Sequence, residues 1–129
     1  AWNNDGSRLY EVGGFDRIYE YNVSTPFDIS SASSTTFINT QDFQPNGIAW
    51  NNDGSRLYEV GGGNERIYQY TVSTPFDINS ASFDTSINTQ DSNPTGIAWN
   101  DDGSQLYVVG TGSERIYQNR VSTGGWGAF

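Results

Sequence analysis

The stretch from Gly47 to Gly62 reads GIAWNNDGSRLYEVGG, and nearly all of it occurs three times. AWNNDGSRLYEVGG opens the chain at Ala1, and GIAWNDDGSQLYVVG returns at Gly96. Ala1 recurs as Ala49 and Ala98, a spacing of 48 and then 49 residues. The extra residue falls where GGFDR (13–17) becomes GGGNER (61–66), a length change of the kind that surface turns absorb. The 129 residues divide into units 1–48, 49–97 and 98–129, about 2.7 repeats with the last one cut short. A period of this length sets the fold before any single residue does.

Within a unit every signal is for strand. GIAW is a short apolar run stopped by NNDGS, and Asp53-Gly54 marks a tight hairpin. RLYEV follows, aromatic and β-branched, and ends at the glycines 61–63. RIYQYTV alternates, with Tyr68, Tyr70 and Val72 on one side and Ile67, Gln69 and Thr71 on the other. STPFDI interrupts the pattern, because Pro75 cannot donate to a ladder. SFDTSINTQ (82–90) closes the unit before DSNPT turns the chain back. Four short antiparallel strands in 40 to 50 residues, in tandem, predict an all-β chain of β-propeller blades. A β-solenoid competes poorly, since its coils are shorter and lack the Asp-Gly hairpin.

PNGIAWNNDGSRLYEVGGGNERIYQYTVSTPFDI resembles the blades of tandem propeller proteins of environmental bacteria and their viruses. It is similar, more distantly, to the YVTN and lactonase-like propeller repeats. The resemblance spans nearly the whole chain and implies the fold. It implies little function, because such blades serve structural, adhesive and enzymatic proteins alike. The metal-binding Glu, Asn and Asp positions of lactonase-like enzymes have no matching motif here, and STGGWGAF at the end of the third unit departs from STPFDI.

Composition narrows the chemistry. The net charge of −9 disfavours nucleic acid and anionic membrane surfaces, which call for Lys and Arg. All six basic residues are Arg; Lys, Cys, His and Met are absent. The usual nucleophiles and the commonest general base are therefore missing, and no enzyme, cofactor or metal site is expected. No apolar run is long enough to insert into a membrane. An acidic chain without Lys, Cys or Met fits an extracellular, cell-surface or virion-surface setting, and the missing initiator Met fits a processed chain or a piece of a longer one.

Three blades cannot close a ring, so two blade faces are left over. The aromatic residues Tyr10, Tyr19, Tyr21, Tyr107 and Tyr117 are expected on them, with Trp126 and Phe129 available to a neighbour. Burying one such side chain is worth roughly 1.5–3 kcal/mol, so a face of about five holds on the order of 7–15 kcal/mol. That equals the stability of a typical domain. Completion by other copies, as a ring or a filament, or by further blades of a longer chain is the expected outcome. The alternative is a carbohydrate-binding propeller with one shallow site per blade, for which the recurring Trp2, Trp50 and Trp99 read better as core than as sugar platforms.

Several polar residues recur. Glu11 and Glu59 sit mid-strand, and Arg17, Arg66 and Arg115 each follow an acidic residue. Structural ion pairs between adjacent blades account for both sets. Asn3, Asp5 and Ser7 alternate oxygen-bearing side chains as a calcium loop does, but no distal acidic ligand follows, so a plain hairpin turn is expected. Asn22-Val23-Ser24 forms a sequon for N-glycosylation, not repeated in the second unit.

Overall fold

The structure is a computed structural model and describes residues 1–121; Trp126 and Phe129 lie outside the described residues. Its strands form three antiparallel sheets in chain order. Blade 1 holds β1 (Arg8–Gly13), β2 (Arg17–Val23) and β3 (Ala32–Asn39). Blade 2 holds β4 (Pro45–Trp50), β5 (Arg56–Gly61), β6 (Arg66–Val72) and β7 (Ala81–Asn88). Blade 3 holds β8 (Pro94–Trp99), β9 (Gln105–Gly110) and β10 (Arg115–Arg120). Within each blade every strand pairs with the next, and among the described residues only the middle repeat presents the full four-stranded meander. A lone bridge between Trp2 and Leu9 stands where blade 2 pairs Trp50 with Leu57, which puts Trp2 at the innermost-strand position of blade 1.

The Asp-Gly turns work identically in all three repeats. In blade 2, Asn51 Oδ1 accepts the Arg56 amide at 3.0 Å and Asp53 Oδ1 accepts the Ser55 amide at 2.9 Å. Gly54 takes φ +75°, a left-handed conformation that suits glycine. The side chains that resembled calcium ligands are thus turned inward to satisfy the loop's own amides. Hydrogen bonds from Ser7, Ser55 and Ser104 hold the carboxyls of Asp5, Asp53 and Asp102 below the ordinary range.

STPFDI folds over the turn. The Phe76 amide donates to the Gly54 carbonyl at 3.1 Å, and the Phe76 ring lies against Gly54 and 5.2 Å from Trp50. A short 3₁₀ turn, Ile78–Ser80, follows, capped by Asp77 Oδ1 on the Asn79 amide at 3.0 Å. The outermost strands β3 and β7 are rich in Ser and Thr and mostly exposed, as suits an unpaired edge.

Apolar side chains gather in two clusters, one along each seam between blades. Tyr10, Ile18, Trp50, Leu57, Tyr70, Val72 and Ile78 belong to the first seam; Val60, Ile67, Leu106 and Val108 belong to the second. Alternation along β5 splits Leu57 and Glu59 from Tyr58 and Val60, so both faces of blade 2 are buried.

Candidate functional site at the blade faces

The first seam is a set of interlocking contacts between blades 1 and 2. Tyr10 meets Trp50 edge-on, with ring centroids 4.9 Å apart, and its hydroxyl donates to the Phe76 carbonyl. Arg8 Nη1 donates to the same carbonyl at 3.0 Å. The Ile78 amide donates to Glu20 Oε1 at 3.3 Å, and the Ile78 side chain is fully buried. From the other direction, the segment joining β3 to β4 inserts Asp42 beside the β5–β6 hairpin. Asp42 Oδ1 accepts from Gly63 at 2.9 Å and from Gln44 at 2.8 Å, and Oδ2 accepts from Asn64 at 3.0 Å. Glu59, also fully buried, accepts the amides of Gln41 at 3.1 Å and Asp42 at 2.9 Å, together with the Tyr70 hydroxyl.

The second seam repeats much of the plan. Tyr58 faces Trp99 at 4.8 Å. Asp91 accepts from Gly112 at 2.9 Å and Ser113 at 3.0 Å, as Asp42 does from Gly63 and Asn64. At the position of Glu59, however, stands Val108, packed with Val60 and Ile67. Asn46 Nδ2 spans this seam to the Pro94 carbonyl at 2.8 Å.

Charge burial gives the molecule a defined response to pH. Burial pushes the carboxyls of Glu59 and Glu20 above the ordinary glutamate value of 4.5. The folded state then binds protons more readily than the unfolded chain, so their contribution is full below that value and is lost as pH rises through the raised pKa. The turn aspartates act oppositely, because their depressed pKa values make their contribution disappear as pH falls below 3.8. Unfolding free energy measured in urea is expected to rise on acidification from neutrality toward the ordinary Glu range, then fall below the ordinary Asp range. Glu20→Gln keeps an acceptor for the Ile78 amide and is expected to flatten the first limb; the second repeat already carries Gln69 there.

The leftover faces lie at the two ends. On blade 1 the open face carries Leu9, Glu11, Tyr19, Tyr21 and Phe37, with the Arg17 guanidinium 4.0 Å above the Phe37 ring. Ile29, whose counterpart Ile78 is buried, is 70% exposed. On blade 3, Ala98, Tyr107, Val109 and Ile116 line a shallow apolar depression facing away from blade 2. Val109 and Ile116 correspond to Val60 and Ile67, both buried in the second seam.

Three sequence expectations need correction. Tyr10 is not on an open face; pairing with Glu20 puts it opposite Tyr19 and Tyr21, on the side that blade 2 covers. Tyr117 pairs with the buried Val108 and so shares the face turned toward blade 2. The arginine forks are also replaced by other contacts among the described residues. Arg66 and Arg17 open their strands opposite Gly61 and Gly13, two residues from the glutamates, and Glu59 is already surrounded by donors. Arg66 Nη1 reaches Ser86 Oγ at 3.2 Å, and Arg115 is exposed. Tyr19, Tyr21 and Tyr107 do lie on the end faces. Asn22 is exposed on β2, and Trp50 is packed between Tyr10 and Phe76 with no face open to a sugar.

Residues that sequence reasoning passed over include Asp42, Asp91, Glu20 and Ile78. The first two carried a signal, since Asn-Thr-Gln-Asp occurs at 39–42 and again at 88–91.

Solved structures settle the architecture. The chain aligns over 95% of its length with the β-propeller domain of Cps50 (Swd1) from Myceliophteria thermophila, at a TM-score of 0.68 and 13% identity. The chain is built of β-propeller blades. Its blades are similar also to a chain in a crystal structure of a mitotic checkpoint complex, at TM-score 0.68, 15% identity and 94% coverage. A protein from Lactobacillus plantarum matches 89% of the chain at TM-score 0.63 and 18% identity. The propeller segment spans 39%, 35% and 37% of these three chains, respectively. No family model matches the sequence, and no curated protein matches it closely.

Proposed function

We propose that the chain is a non-catalytic scaffold module of an extracellular, cell-surface or virion-surface assembly, completed by packing of its end faces against other copies in a ring or filament. One observation carries this reading: each internal seam joins a tyrosine of one blade to a tryptophan of the next, Tyr10 to Trp50 and Tyr58 to Trp99. At the ends this leaves Tyr107 with no following tryptophan and Trp2 with no preceding tyrosine among the described residues. The two faces are therefore complementary, and a head-to-tail contact of the third blade of one copy with the first blade of the next repeats a seam already present twice. The non-catalytic assignment is supported by the buried carboxylates Glu20, Asp42, Glu59 and Asp91, each of which accepts from backbone amides. The surface location rests on composition. The YVTN or lactonase-like kinship is supported by the sequence resemblance.

Mass measurement in solution, with electron microscopy of the same sample, tests the proposal. Closed particles of few copies or fibres are expected, and Tyr107→Asp is expected to return the protein to monomers without disturbing either internal seam. A wild-type chain that stays folded and monomeric at high concentration overturns it.

A further inference from the structure

The Glu59–Tyr70 pair of the first seam has a twin with no other blade against it among the described residues. On the open face of blade 1, the Tyr21 hydroxyl donates to Glu11 Oε2 at 2.7 Å, and Glu11 is exposed. In blade 2 the same pair, in the same register, receives the backbone of a neighbouring blade. Glu59 takes the amides of Gln41 and Asp42, and the Tyr70 oxygen lies 3.2 Å from the Gln41 amide. The space next to it tells the same story. A Cβ added to Gly61 would overlap the Asp42 side chain, and one added to Gly110 would overlap Asp91. At Gly13, the corresponding position of blade 1, an added Cβ meets nothing within 4 Å.

Both groups that fill this space belong to the tetrapeptide Asn-Thr-Gln-Asp, 39–42 and 88–91. Its threonine shapes it for the task. Thr40 Oγ1 donates to the Asp42 carbonyl at 2.7 Å and Thr89 Oγ1 to the Asp91 carbonyl at 2.6 Å, a tight local turn that leaves the Gln and Asp amides facing outward in the first seam.

We propose that Glu11, Tyr21 and the gap beside Gly13 form a receptor for the Asn-Thr-Gln-Asp segment that closes a preceding blade of the same repeat. The carboxylate and phenol oxygens of the receptor accept two successive backbone amides, and the gap admits the aspartate side chain. The β1–β2 turn is one residue shorter than its counterparts, pairing Gly13 with Arg17 where blade 2 pairs Gly61 with Arg66 across a longer loop. The Glu11–Tyr21 pair is therefore the main anchor. The third repeat has lost that pair, with Val108 and Asn119 in its place, whereas the first repeat retains it on a face that no other described blade covers.

The occupant is the closing segment of a further blade rather than residues 39–42 or 88–91 of a second copy, because both of those segments are engaged in their own seams. The inference rests on the face-packing reading only in requiring that another blade lies against blade 1. It makes that blade one whose closing segment carries the tetrapeptide.

The test is a titration of the full ¹⁵N-labelled chain with the decapeptide TSINTQDSNP, the sequence of residues 85–94, to about 5 mM, which reads dissociation constants into the millimolar range. Saturable shifts are expected at the amides of Glu11, Gly13, Gly14 and Tyr21. Glu11→Ala and Tyr21→Phe, both at the open face, are expected to weaken binding about fivefold each, as is a peptide with Ala in place of its Asp. Absence of saturable shifts at these amides, or binding indifferent to Glu11→Ala, overturns the receptor. Sedimentation of the same chain without peptide separates the two readings. Peptide binding by a chain that remains monomeric keeps the receptor and removes copy-to-copy packing, whereas assembly with no peptide response does the reverse.

Discussion

Asp42→Ala is expected to lower the unfolding free energy by about 2–4 kcal/mol, read from urea denaturation followed by tryptophan fluorescence. The side chain is almost fully buried and accepts three backbone amides, those of Gln44, Gly63 and Asn64, with the Tyr68 hydroxyl at 3.3 Å from Oδ2. Alanine leaves these donors without their acceptor, at a cost of about 1–3 kcal/mol for each that water fails to reach. Gln44 and Asn64 are exposed enough for water to recover part of that loss, which sets the upper end of the range. Asp42→Asn should fall between, since it keeps Oδ1 and turns an amide toward the Asn64 N–H. A loss below about 1 kcal/mol for the alanine variant would show that the segment between β3 and β4 does not hold the seam.

Gly54→Ala is expected to be comparably damaging, about 2–5 kcal/mol, for two additive reasons. A left-handed backbone costs an L-residue roughly 1–2 kcal/mol, and Gly54 sits at φ +75°. The new methyl would also overlap the Phe76 ring, and overpacking costs about 1–3 kcal/mol. Displacing Phe76 disturbs more than the turn, because its carbonyl accepts Tyr10 and Arg8 from blade 1. Gly13→Ala is the control. It has open space around it and φ outside the left-handed region, and a change within about 0.5 kcal/mol is expected. Equal damage at both glycines would show that neither the left-handed backbone at Gly54 nor its contact with Phe76 is the cause.

The blades were legible in the sequence because their signals are local. Asp53-Gly54, the alternation in RIYQYTV and the break at Pro75 each act over a few residues, and the tandem repetition multiplies them. What was hidden is which side of a strand meets which neighbour. Tyr10 and Tyr21 both read as large aromatic residues in strands, but only the register of Tyr10 with Glu20 and of Glu11 with Tyr19 assigns them to opposite faces. Glu59 shows the same limit in polar form. A mid-strand carboxylate signals that something must satisfy it, and the nearby Arg66 is the obvious candidate in sequence. The actual donors are backbone amides 17 and 18 residues earlier, groups that every residue but proline carries and that no motif announces. Asp42 was lost in the short connecting loop TQDFQ (40–44), where an aspartate ordinarily serves its own turn.

The replacement of Glu59 and Tyr70 by Val108 and Asn119 makes the two junctions respond differently to base. The join between the first and second blades depends on buried oxygen atoms and loosens as the solution becomes more alkaline. The join between the second and third has the uncharged Val108 at the position of Glu59 and is spared this effect. Raising the pH therefore weakens one side of the middle blade and leaves the other unchanged.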